Sequence, residues 1–148
     1  MSSFTRASFM SCQRPVRALV NRNHERFMAS VTGPIYEVLN DDGDKDSSAI
    51  NVTLFTKEGC TLCDKVKDVL VEVKEDEPHS LYAIDITDDE HVEWFNRYKY
   101  DIPVLHINGE YWIKHRLTKE EALEGFKSSR SGKFVSPKGE PDAAKMER

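Results

Sequence analysis

Within residues 51–127 the spacing of apolar residues switches between strand and helix periods, with turn residues at most of the switches. That alternation constrains the fold more than any other feature of the chain. Asn51-Val52-Thr53-Leu54-Phe55-Thr56 is β-branched and apolar, the composition of a strand. Gly59 breaks it, and Leu62, Val66, Val69, Leu70 and Val73 then fall on one face of a helix. Pro78 ends that stretch, and Leu81 to Ile86 reads as a second strand. Thr87-Asp88-Asp89-Glu90 has the spacing of a capping box and opens a helix carrying Val92, Trp94, Phe95 and Tyr98. Pro103 to Ile107 is a third strand. Asn108-Gly109 suits a tight hairpin, because both residues tolerate positive φ, and Glu110 to Arg116 returns as a fourth strand. Thr118-Lys119-Glu120-Glu121 is another capping box, ahead of a last helix with Ala122, Leu123 and Phe126.

The order β-α-β-α-β-β-α belongs to the α/β class. Its first three elements form a βαβ unit, whose right-handed crossover makes a parallel pair. The hairpin adds antiparallel strands, for a four-stranded mixed sheet with helices on both faces. Strands covered on two sides lose clean alternation, as Leu81 to Ile86 does. This is the layout of a thioredoxin fold.

The flanks read differently. Residues 1–32 carry five Arg and a single acid, Glu25. They lack the uninterrupted apolar stretch of about 7–15 residues that a secretory signal needs. Their composition is that of a mitochondrial presequence, so a matrix location is expected, with Met28 as an internal start for a cytoplasmic form. Residues 33–50 hold five acids against Lys45 and read as an acidic linker. Residues 128–148, rich in Ser, Gly, Pro and Lys, read as a disordered tail. The net charge of −5, without a basic stripe, argues against nucleic acid as a partner. No apolar run approaches the ~20 residues that span a bilayer, so no membrane partner is expected. A monomer is expected.

Of three cysteines, Cys12 lies in the leader and Cys60-Thr61-Leu62-Cys63 forms a pair in the body. The pair falls just after the first strand, at the start of the first helix. There Cys60 meets unsatisfied N–H groups and the helix dipole, which favour a thiolate. Cys63, one turn on, is placed to resolve a mixed disulfide. Lys57 favours the Cys60 thiolate and Glu58 opposes it. The alternatives for the pair are buried structural thiols and half of a metal site. A metal needs further ligands, and His79, His91, His106 and His115 are scattered, so none is expected. Pro103 is most simply a strand-initiating proline. In this fold, however, the loop before the third strand packs against the dithiol. A cis Ile102–Pro103 bond would leave the Ile102 backbone free to pair with an extended substrate. Trp94, Tyr98, Tyr111 and Trp112 read as packing, and Glu72, Glu75, Asp76 and Glu77 as a solvated helix end.

With these residues placed, the chain from about Asn51 to Lys127 resembles the glutaredoxin family of the thioredoxin superfamily. It is most similar to the short glutaredoxin-like proteins of eukaryotes. The resemblance rests on Thr56-Lys57-Glu58-Gly59-Cys60-Thr61-Leu62-Cys63 and on Asp101-Ile102-Pro103-Val104-Leu105. It implies a thioredoxin fold, a redox-active Cys60–Cys63 disulfide, a cis Pro103 and thiol–disulfide oxidoreductase activity in cell redox homeostasis. It also implies protein or glutathione disulfides as partners and glutathione as the candidate reductant, with Lys57 and the Ile102 backbone at the glutathione site. Two departures stand out. Thr61 and Leu62 replace the family's usual Pro and aromatic. The run Lys114-His115-Arg116-Leu117-Thr118-Lys119 lacks the Gly-Gly and acid that hold the γ-glutamyl end, leaving Arg116 as the group to meet a carboxylate. A binding module with an idle dithiol, and a metal or iron–sulfur carrier, are the rival expectations.

Overall fold

The computed structural model describes residues 30–148; the leader up to residue 29, with Cys12 and Met28, lies outside the described residues. Its strands are β1 (Gly33–Tyr36), β2 (Ile50–Thr56), β3 (His79–Asp85), β4 (Val104–Ile107) and β5 (Glu110–Lys114). Its helices are α1 (Thr61–Val73), α2 (Val92–Tyr98), α3 (Lys119–Arg130) and α4 (Ala143–Met146). The strands form one sheet in the order β1-β3-β2-β4-β5, with β2 parallel to β3 and every other pair antiparallel.

Two apolar clusters cover the two faces of the sheet. On one face Val52, Leu54, Leu81, Leu105 and Ile107 meet Val66 and Leu70 of α1 and Ala122 and Phe126 of α3. On the other, Phe55, Val104 and Tyr111 meet Tyr98 of α2, with Trp94 and Ile102 packed at the margin. Strands sandwiched in this way are buried on both sides. In β2 only Asn51 and Thr53 are partly open.

Several local expectations hold. Asn108 and Gly109 have φ of 49° and 86°, the positive values the hairpin turn requires. Thr118 caps α3 through a reciprocal capping box with Glu121. Trp112, Tyr111 and Tyr98 are buried as packing.

Others are corrected. The sheet has five strands rather than four, because the segment expected as an acidic linker supplies β1. Tyr36 packs edge-on against His79, and its hydroxyl lies 2.5 Å from Nε2 of that residue. Upstream, Ser30 and Thr32 donate to the Asp88 carboxylate at 2.6 and 2.7 Å. The capping box expected at Thr87 does not form. Thr87 donates instead to Asp85, and α2 starts at Val92 after a 3-10 turn at Asp89–His91. The tail is structured as well. Glu140 accepts from the Tyr98 hydroxyl and from Arg97, and Ala143 of α4 is buried. Glu77 is not solvated: it is buried and paired with Arg130.

Candidate redox site

The C-terminal end of β2 and the N-terminal end of β4 meet at one end of the sheet, where Phe55 pairs with Val104. Cys60 follows β2 by four residues, and Ile102–Pro103 precedes β4 directly. The topology therefore brings these two segments to the same end of the sheet. Gly59, with φ of +77°, makes the sharp exit from the strand that a side chain would resist. The Cys60 amide closes that turn on the Lys57 carbonyl at 3.3 Å.

Cys60 is the N-cap of α1, in extended conformation, and its sulfur accepts the Cys63 N–H at 3.2 Å. The Cys60 carbonyl accepts the Asp64 N–H at 3.2 Å, the first turn of the helix. Cys60 and Cys63 are joined in a disulfide with their Cα atoms 5.2 Å apart. Their exposure differs. Cys60 is half-buried, whereas Cys63 is 1% exposed and belongs to the apolar face of α1. Leu62, between them, is 48% exposed and leaves an apolar side chain beside the sulfurs.

The Ile102–Pro103 peptide is cis. Pro103 is buried and Ile102 half-buried against the α2-side cluster. Pro103 gives its carbonyl to the His115 N–H at 2.7 Å, while the N–H and carbonyl of Ile102 enter no backbone hydrogen bond among the described residues. Lys57 is exposed, and its ammonium makes no ion pair among the described residues. Arg116 is likewise exposed, at the loop between β5 and α3. The site thus combines a helix-capped dithiol, an unpaired stretch of backbone and two open cations.

The chain matches the Glutaredoxin-like domain (DUF836) family over residues 51–125. It belongs to the glutaredoxin-like family. The matched span opens with β2 and runs into α3, so it contains both the dithiol and the cis proline. Among curated proteins the chain is similar to a glutaredoxin-like protein of Dictyostelium discoideum, 32% identical over 77 residues. That match covers 49% of this chain and 71% of the relative. The glutaredoxin-like domain carries the thioredoxin fold, and its Cys60–Cys63 pair fits a thiol redox role. β1 and α4 lie outside the matched span.

Some neighbours of the site were not visible in the sequence. Asp101 accepts from Lys114 Nζ at 2.8 Å and contacts His115 Nε2 at 3.1 Å. His115 reads in the sequence as one of several scattered histidines, yet it bonds the backbone of the cis proline. The available signal was its place at the end of the fourth strand, which the register sets opposite the start of the third. Among the described residues, no group of three or more His, Cys, Asp or Glu could hold a metal ion.

Proposed function

We propose that this glutaredoxin-like protein is a thiol–disulfide oxidoreductase in which Cys60 attacks and Cys63 resolves. The carrying observation is the Cys63 N–H aimed at the Cys60 sulfur from the first turn of α1. A donor there stabilises negative charge on sulfur, and the helix dipole adds to it. The exposure difference supports this division of roles: an attacking sulfur has to meet a substrate, and a resolving sulfur only has to meet its neighbour.

In the reduced protein the Cys60 thiolate attacks one sulfur of a substrate disulfide. A Cys60–substrate disulfide forms, the substrate S–S bond breaks, and the departing thiolate takes a proton from water. Cys63 then loses its proton and attacks the Cys60 sulfur. The second substrate thiolate leaves and the Cys60–Cys63 disulfide forms, so two electrons have passed to the substrate. Glutathione or a dithiol reductase system returns them. The unpaired Ile102 backbone supports pairing with an extended substrate. Lys57 and Arg116, exposed just beyond the ends of β2 and β5, support attraction of anionic groups.

The test compares disulfide reduction by the wild type, Cys60→Ser and Cys63→Ser, supplied with glutathione or with a thioredoxin-reductase system. Cys60→Ser is expected to be inactive, and Cys63→Ser to accumulate a mixed disulfide. The Cys60 thiol of the reduced protein is expected to titrate below the ~8.5 of a free cysteine. Ordinary titration together with no activity from either donor sinks the reading. The donor arm decides whether glutathione serves despite the missing glycines and acid of Lys114–Lys119. The basic leader supports import into the mitochondrial matrix. Fractionation followed by N-terminal sequencing tests that, together with the Met28 start.

A further inference from the structure

His115 occupies a backbone state that residues with a side chain rarely adopt. Its φ is +72°, and the Arg116 N–H reaches back to the Lys114 carbonyl at 2.9 Å, closing a three-residue turn around it. Turns of this kind with positive φ at the centre are rare and strained, and glycine is the residue that takes positive φ freely. Strain of this kind persists only where the surroundings over-determine it, and such residues cluster at functional sites.

Two contacts hold His115 there, and they go to either side of a single residue. Its N–H donates to the Pro103 carbonyl at 2.7 Å. Its ring Nε2 lies 3.1 Å from the Asp101 carboxylate, whose side chain is 18% exposed and which also takes Lys114 Nζ at 2.8 Å. The Asp101 N–H is in turn bonded to the Tyr98 carbonyl at 2.8 Å, at the end of α2. Residues 101 and 103 are therefore both gripped, and Ile102 between them has its N–H and carbonyl out of any backbone hydrogen bond among the described residues.

We propose that His115 is a positioning residue, which with Asp101 clamps the Ile102–Pro103 loop so that the Ile102 backbone is preorganised to pair with the disulfide-bearing substrate. This rests on the oxidoreductase reading above. Fixing a binding segment in its bound geometry removes the ordering entropy that binding would otherwise incur. The clamp therefore acts on substrate binding and leaves the sulfur chemistry alone.

The experiment uses His115→Ala, Asp101→Ala and the double variant in the full-length protein. A peptide disulfide is the substrate, and amide hydrogen exchange is read in parallel. Losing the contact is expected to raise KM roughly 3- to 10-fold with kcat nearly unchanged, the size of one hydrogen bond. Cys60 titration should be unmoved. Exchange should rise over residues 101–104 and not in β2 or α1. Adding His115→Ala to Asp101→Ala should change little, since both remove the same contact. Unchanged KM, or a raised KM without faster exchange in the loop, overturns the proposal. A wild type without activity sinks the redox reading instead, and the exchange arm still decides whether the clamp exists.

Discussion

A methyl group added at Gly125 would come within 2.6 Å of Trp112 Cζ2 and 2.7 Å of its Cε2, with α3 held against the sheet by that ring. Trp112 is 7% exposed and packs on Phe126, so it has little room to retreat. Alanine is worth about 1 kcal/mol more than glycine in a helix interior. Overpacking a close-packed core costs about 1–3 kcal/mol. The second effect is expected to win, because the clash is with a rigid indole and not with a flexible chain end. Gly125→Ala should lower stability in urea unfolding while leaving Cys60 reactivity intact. A stabilised variant would show that α3 can shift. The same residue-level logic applies to the dithiol: its two sulfurs share a motif, yet only Cys60 has access to solvent and to the Cys63 N–H together.

At the scale of elements, β1 is a four-residue edge strand that pairs with β3 and is further tied to it by a side-chain bond. Its Pro34 cannot donate to a neighbour, which suits an edge and blunts it against further pairing. The tie is Tyr36 to His79. The Glu77 carbonyl can only accept, so Nδ1 of His79, 2.8 Å away, carries the proton; Nε2 of the neutral ring then accepts the Tyr36 O–H. Lys74 sits over the Tyr36 ring, 4.6 Å from its centroid. Tyr36→Phe keeps the ring and removes the donor, leaving a buried nitrogen unpaired. That is expected to cost about 1–3 kcal/mol. Amide exchange in β1 and at Leu81–Ala83 should quicken first, with exchange in α1 unchanged. Uniform loss of protection would mean that β1 is integral to the core and not an appended strand.

Across the whole molecule, each face of the sheet holds one buried histidine. His79 stacks on Phe126 of α3, with ring centroids 4.4 Å apart. His106 lies on the α2 side among Phe55, Trp94 and Tyr98. Burial lowers the pKa of both from the usual 6.5; for His106 the Glu140 carboxylate opposes that shift and Arg97 adds to it. The unfolded chain therefore binds more protons than the folded one as pH falls below 6.5. The stability these residues contribute is complete above about 6.5 and is lost as pH falls through their lower folded values. The carboxylates with lowered pKa, Asp46, Asp88, Asp142 and Glu147, act in a separate and more acidic window, below their ordinary values of 3.8 to 4.5. The melting temperature is expected to drop between pH 7.5 and 5.5, and His79→Gln should flatten part of that drop. A profile without slope in that interval would contradict the burial argument.

The sequence by itself determined the order of the central elements, the Asn108-Gly109 turn, the Thr118 capping box and the place of Cys60 at a helix start. These are legible because period, turn chemistry and capping act over a few neighbouring residues. Tertiary structure alone decided the rest. Glu140 lies 42 residues from Tyr98, and Tyr36 43 from His79. Neither polar segment has an apolar period that would announce it, so linker and tail were the readings local rules allow. Thr87 had the right spacing for a cap, but Asp85 and the Ser30–Thr32 segment took up the polar groups nearby. His115 is the sharpest case: no local rule announces its left-handed turn or the contacts it makes there with Asp101 and Pro103.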